Sequence, residues 1–399
     1  MTREKEKDWV PKVGVNRPWA KFGPLWMLAL LVLLLGNWPI VAAASPTPPR
    51  VSAASAILMD VTTGAILFEK NAYQQRPMAS TTKIMTAVLV LEQMDLQSQV
   101  AIDWTSANTE GSSLYVKPGE VYSVRDLLYG LMLRSGNDAA VALAQSVAGS
   151  VSEFAKLMNQ RAAQLGMTQT QFTNPHGLPD NHHYSTAYDM AVLTRYALHN
   201  PRFAEVAACK ETTIFRPSHG TWPIRNKNRL LWDYGADGVK TGYTRAAGRC
   251  LVASATKNDR QLVAVVLNAP DMWTDVTALL DYGFQAYENV VLVTKGEAYG
   301  AVDVIGGTVG QVQALATEDY ILTVKANAPR EAQIQVKLAA DLQAPVRAMQ
   351  PAGHLVVSYP GQADRIISLV AAQEVARKPW STQLWEKVTA GFVHQTDHN

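Results

Sequence analysis

The run that begins Ser80-Thr81-Thr82-Lys83 and continues through Ile84, Met85, Val88, Leu89, Leu91 and Met94 constrains this chain more than any other segment. Ile84, Val88 and Leu91 recur at the spacing of one helix face, and the opposite side is nearly as apolar. The segment therefore predicts a helix buried on most of its circumference, with other elements packed around it. Ser80 would stand at the helix N-terminus, with Lys83 one turn on and on the same face, within hydrogen-bonding reach. A serine hydroxyl is a weak nucleophile until a neighbouring base takes its proton. A lysine shielded from water sheds its charge and becomes such a base. The free N–H groups and positive dipole end of a helix N-terminus also suit a developing oxyanion. Taken alone the pattern is weak, because a serine cap followed by a solvated lysine spells the same four letters.

Two later motifs change the balance. Ser135-Gly136-Asn137 precedes a helix-forming run over 138–144. Lys240-Thr241-Gly242 follows Asp237-Gly238-Val239 and leads, past Gly248, into a strand-like run over 251–256. A second candidate for the middle motif, Ser106-Ala107-Asn108, is set aside because no helical run starts directly after it. SxxK, an SDN-type triplet (here SGN) and KTG are the signature of penicillin-binding proteins and class A β-lactamases. The words around them are Pro77-Met78-Ala79-Ser80, Leu133-Arg134-Ser135 and Val239-Lys240-Thr241-Gly242-Tyr243-Thr244. Gly111-Ser112-Ser113, Lys117-Pro118-Gly119-Glu120, Asn174-Pro175-His176-Gly177-Leu178 and the stretch 184–191 add to them. Together these resemble the low-molecular-weight penicillin-binding proteins that are serine D-alanyl-D-alanine carboxypeptidases, of the peptidase S11 type. The resemblance covers about 51–290 by specific motifs and 291–394 by domain order.

The resemblance implies an α+β fold of the β-lactamase/transpeptidase type. Its antiparallel sheet with helices is followed by a small all-β C-terminal domain and an amphipathic terminal helix. It also implies roles. Ser80 is the nucleophile that carries the acyl ester, Lys83 the general base, and Ser135 a proton relay to the leaving amine. Asn137 bonds the substrate amide, and Lys240 and Thr241 meet the substrate carboxylate beside Gly242. The backbone N–H groups of Ser80 and Tyr243 form the oxyanion hole. The implied reaction removes the terminal D-alanine from peptidoglycan pentapeptide stems, trimming the donors of wall cross-linking. β-Lactam antibiotics would acylate the same serine. No cofactor and no metal ion is implied. The chain departs from the family in one place: relatives often carry an arginine well past KTG that helps bind the carboxylate, whereas 268–284 holds no arginine or lysine. That leaves carboxylate recognition to Lys240, Thr241 or Arg245.

Two rival readings use the same motifs. A class A-like β-lactamase needs a glutamate to activate the deacylating water, and none lies between Glu153 and Glu205. A catalytically idle wall-binding or morphogenetic protein would keep the fold, yet all three motifs are intact. His176 reads as part of a turn. The adjacent His182 and His183 diverge from a strand or helix and do not suit one metal ion. Asp189 reads as a capping or pairing carboxylate.

Length and charge fit an exported two-domain protein. The 399 residues suffice for two domains. Lys and Arg number 36 against 34 Asp and Glu, a net charge of +2 that argues against a nucleic-acid partner. A basic segment ending at Lys21, an apolar stretch over 25–35 and Val41-Ala42-Ala43-Ala44 follow the order of a secretory signal, 1–44, cut after Ala44. An uncleaved anchor over 25–44 is the alternative. Export would place the protein on the extracytoplasmic face of a bacterial membrane. A proline-rich linker, 45–50, leads to a hairpin around Thr62-Thr63-Gly64. A mainly helical middle over 75–205 follows, then strands over 250–256 and 261–267, and a closing helix over 276–287. Strands from both ends with helices between them predict an antiparallel sheet backed by a helical region. The catalytic portion is thus read as 51–290, and valine- and isoleucine-rich runs broken by glycine and proline make 291–377 a β-domain. Over 378–394, Trp380, Leu384, Val388 and Phe392 form an apolar stripe with Trp385 beside it, a pattern for a helix lying in the membrane surface. Cys209 and Cys250 read as two free thiols.

Overall fold

The computed structural model describes residues 46–328 and 331–382. The predicted signal segment and all but the first residues of the predicted terminal helix lie outside them. Strands β1 (Ser55–Asp60) and β2 (Ile66–Lys70) form the expected hairpin. Its turn closes where Asp60 Oδ1 accepts from the Thr63 amide at 2.9 Å and Gly64 takes φ 75°, a left-handed value that glycine adopts without a Cβ penalty.

The apolar run forms α1 (Lys83–Gln93), in which every residue from Lys83 to Val90 is buried. The chain then crosses β3 (Gln99–Ala101), a short α2 (Trp104–Ala107), β4 (Val121–Ser123) and α3 (Val124–Tyr129). Four further helices follow: α4 (Asn137–Ala148), α5 (Val151–Gln164), α6 (Ala187–Leu198) and α7 (Pro201–Ala208). Their ends obey local chemistry. Gly149 caps α4 in the left-handed region at φ 78°, and Ser150 and Thr186 accept from the Glu153 and Asp189 amides at the starts of α5 and α6. Asn200 does the same for α7, with Pro201 at its first position.

The hairpin β5 (Glu211–Arg216) and β6 (Gly220–Arg225) is an element the sequence reading left unassigned. After the short α8 (Leu230–Asp233) come β7 (Gly238–Thr244), β8 (Gly248–Lys257), β9 (Arg260–Leu267) and the closing helix α9 (Met272–Ala286).

The main sheet has five antiparallel strands in the order β2-β1-β9-β8-β7, so both ends of the catalytic portion contribute, as expected. Alternation along its strands builds a core on each face. Ile57, Met59, Val263 and Val265 point to the helical region with α1. Leu58, Leu262, Ala264 and Val266 point to α9. β7 is left as an edge strand, and it carries Lys240, Thr241 and Gly242.

Beyond α9 the β-domain begins at Tyr287, earlier than the sequence boundary, because β10 (Tyr287–Val293) starts directly at the helix end. It pairs with β13 (Tyr320–Lys325) after β11 (Ala298–Ile305) and β12 (Gln311–Ala316). Those two join β14 (Gln333–Leu338), β15 (Leu342–Gln343), β16 (Pro351–Ser358) and β17 (Arg365–Ala371) in a six-stranded sheet around Val302, Leu355, Ile367 and Leu369. Among the described residues no helix is long and apolar enough to cross a membrane.

Candidate active site

Ser80 lies in a single 3-10 turn, Ala79–Thr82, that runs straight into α1, three residues before the helix's first residue, Lys83. Two threonines close this turn. Thr81 Oγ1 donates to the Met78 carbonyl at 2.7 Å and Thr82 Oγ1 to the Ala79 carbonyl at 2.8 Å. His183 locks the turn from behind. Its Nδ1 accepts from the Thr173 amide at 3.0 Å, so its Nε2 carries the proton and donates to Thr82 Oγ1 at 2.8 Å.

Lys83 is fully buried, and its Nζ lies 3.1 Å from Ser80 Oγ, 2.6 Å from Asn137 Oδ1 and 2.8 Å from the His176 carbonyl. Nζ donates in all three contacts. When it gives up the proton facing Ser80, the lone pair left behind faces the serine hydroxyl. Burial lowers the Lys83 pKa well below its usual value, and the charges of Lys240 and Lys227 push the same way.

The remaining motifs converge from the other sides. Asn137 opens α4; its Oδ1 accepts from Lys83 and its Nδ2 donates to the Glu110 carbonyl at 2.6 Å. One Nδ2 hydrogen is left over, and the expected amide contact would have to use it. Asp138 is buried beside it and fixes the 111–116 loop, accepting from Ser113 Oγ at 2.6 Å and the Leu114 amide at 2.8 Å. Ser135 is buried in the left-handed region at φ 65°. Among the described residues its hydroxyl makes no hydrogen bond to Ser80, Lys83 or Lys240.

Lys240 is buried and donates to the Thr241 carbonyl at 2.9 Å. Burial, and then the Lys227 charge, lower its pKa to about 7. At Gly242 the edge strand passes so close to the nucleophile turn that a Cβ would sit 3.0 Å from the Ser80 amide nitrogen and 3.1 Å from the Met78 carbonyl oxygen. Glycine is the residue that permits this approach, and it brings the backbone of Gly242-Tyr243 alongside that of Ser80.

The decoy Ser106 is buried elsewhere, bonding Asp103 and Gln145. Asp189 pairs rather than reacts, accepting from the Gln169 amide and Thr170 Oγ1. Cys209 and Cys250 are both free thiols. The sequence reading missed two participants. The His176 carbonyl is one, and no side-chain pattern reveals a backbone acceptor. His183 is the other; its neighbour Thr82 inside the SxxK tetrad was the available hint.

The sequence profile described as D-alanyl-D-alanine carboxypeptidase, peptidase S11, matches residues 42–271. The chain belongs to this family. A second profile, the C-terminal domain of penicillin-binding protein 5, matches 287–377. The D-alanyl-D-alanine carboxypeptidase DacF of Bacillus subtilis is 35% identical over 82% of this chain and 86% of its own length. DacD of Escherichia coli is 37% identical over 78% of this chain and 84% of its own. Among solved structures, penicillin-binding protein 5 of Haemophilus influenzae superposes with a TM-score of 0.70 at 31% identity, covering 83% of this chain and all of the other. The antiparallel sheet with helices and the all-β C-terminal domain are thus those of the S11 carboxypeptidases.

Proposed function

We propose that this chain is a serine D-alanyl-D-alanine carboxypeptidase of the bacterial cell wall, acting outside the cytoplasm on peptidoglycan peptide stems and acylated by β-lactams. The observation that carries the reading is the fully buried Lys83 with its Nζ 3.1 Å from Ser80 Oγ. Lys83 takes the Ser80 proton as Oγ attacks the carbonyl of the penultimate D-alanine. The amides of Ser80 and Tyr243 stabilise the oxyanion. The C–N bond breaks and the leaving D-alanine nitrogen receives a proton through Ser135, with Lys240 supplying positive charge nearby. Asn137 and Thr241 hold the stem, which lies along the free edge of β7. Water then cleaves the ester, Lys83 again moving the proton. The catalytic portion runs from 51 to the end of α9 at Ala286, and the β-domain follows it from Tyr287.

Release of free D-alanine from diacetyl-Lys-D-Ala-D-Ala tests this directly. Ser80→Ala should abolish release and leave the melting curve unchanged; full activity in that variant would exclude Ser80 as nucleophile. Benzylpenicillin should leave a long-lived adduct on Ser80, seen as a mass increase of the intact protein. Rapid penicillin turnover would favour the β-lactamase reading.

The C-terminal stripe supports a membrane-surface anchor. Trp380, at the edge of the described residues, is 80% exposed, and the charges of the 378–394 segment nearly cancel, so attachment is hydrophobic and survives high salt. Protein lacking the signal segment and truncated after Lys378 should stay in the supernatant and remain active on small peptides, while the untruncated form sediments with vesicles. Equal sedimentation would remove the anchor.

A further inference from the structure

The carboxylate-binding arginine expected past KTG is absent, since 268–284 holds neither arginine nor lysine. Arg245 is exposed in the β7–β8 turn, and Arg249 donates to the Pro270 carbonyl. Arg134 and Arg216 are both turned over the Trp222 ring, at 5.8 and 4.9 Å. One further cation stands in the site.

Lys227 occupies the segment between the SGN loop and the KTG strand, and its backbone is unusually well held. Its amide donates to the Leu133 carbonyl at 3.2 Å, two residues before Ser135. The asparagines on either side clamp it. Asn226 Nδ2 donates to the Cys209 carbonyl at 3.0 Å and its Oδ1 accepts from the Asn228 amide at 2.9 Å. Asn228 Nδ2 donates to the Gly238 carbonyl at 2.8 Å, at the start of β7. By contrast the Lys227 ammonium has one long contact, 3.4 Å to Ser112 Oγ, and no ion pair among the described residues. It is near enough to Lys83 and Lys240 to depress both, and Arg134 depresses it in turn. Asp138, whose charge acts on Lys83, has its oxygens taken by Ser113, Leu114 and Ala139. An exposed ammonium on a firmly held backbone, beside two buried lysines and without an ion pair among the described residues, is placed to meet an incoming carboxylate.

We propose that Lys227 recognises the terminal carboxylate of the stem together with Lys240 and Thr241, and thereby sets the preference for a free C-terminus. This assignment rests on the carboxypeptidase reading above. The test compares diacetyl-Lys-D-Ala-D-Ala with its C-terminal carboxamide in wild-type protein, Lys227→Met, Lys227→Gln and Lys227→Arg, each checked by thermal melting. For the acid, kcat/KM should fall about 10- to 100-fold in the Met and Gln variants, mainly through KM, while the carboxamide changes less than about threefold. Lys227→Arg should keep the wild-type preference. An equal loss on both peptides, or no change on either, overturns the assignment while leaving the carboxypeptidase reading intact. Wild-type protein that neither releases D-alanine nor takes penicillin overturns both.

Discussion

Gly177 shows how closely single residues are specified around Ser80. Its φ is 87°, and a Cβ there would lie 1.9 Å from the Ala79 carbonyl oxygen and 2.8 Å from Thr82 Oγ1. Glycine therefore serves twice, by conformation and by space. Gly177→Ala should cost about 2–4 kcal/mol in urea unfolding, from left-handed strain together with overpacking. It should also lower penicillin acylation by displacing the turn that carries Ser80. Wild-type stability in that variant would show that the Asn174–Leu178 loop yields freely. The same loop also supplies the Pro175 carbonyl to Thr86 Oγ1 at 2.6 Å, so both Thr86 and Lys83 on α1 are held by backbone oxygens from one short segment.

Among the elements, the 3-10 turn depends on a relay that is sensitive to acid. His183 is buried and His176 partly so, and the loss of water lowers their pKa values to about 4 and about 3. In the unfolded chain histidine titrates near 6.5, so below that pH the unfolded state binds more protons than the native one. The stability that the neutral rings contribute is therefore present above about 6.5 and lost as pH falls toward 4. For His183 the loss is on the order of 2 kcal/mol by pH ~4.5, because a proton on Nδ1 displaces the Thr173 amide. Melting temperatures measured from pH 7.5 to 4.5 should decline below about 6.5, and His183→Gln should flatten part of that decline. An unchanged pH dependence in His183→Gln would place the acid sensitivity elsewhere.

At the scale of the whole molecule, one ion pair ties the sheet to the start of the β-domain. Asp60 is fully buried at the end of β1, and its Oδ2 meets Arg260 Nε at 2.8 Å. Arg260 Nη1 reaches the Gly283 and Tyr287 carbonyls, at the end of α9 and the start of β10. On the other side Asp60 holds Thr63, whose hydroxyl bonds Thr323 on β13 at 2.6 Å. Arg260→Met strands a buried carboxylate and should destabilise the protein by about 3–5 kcal/mol, whereas Asp60→Leu/Arg260→Met should recover most of that loss. Denaturant midpoints decide, and a loss under about 1 kcal/mol for the single variant would make the pair dispensable.

Much of this was legible in the chain because it is local. The all-round apolar stretch behind Lys83 predicted a buried helix, alternation predicted the strands on both sides of the 257–260 turn, and Thr62-Thr63-Gly64 predicted the first hairpin. Motif order located Ser80, Lys83, Asn137 and Lys240. The β5–β6 hairpin escaped because its strands are half exposed, with Glu211, Thr213, Phe215 and Arg225 facing outward, so no buried periodicity marks them. Other decisions needed distance in sequence to become contact in space. Lys83 loses water only when Asn137 and the His176 carbonyl close over it, and the Lys227 ammonium joins the site only because Asn226 and Asn228 clamp its segment between the SGN loop and β7. Side-chain identity and spacing are written along the chain, whereas desolvation and the mutual field of three lysines exist only once the sheet and the helical region have come together.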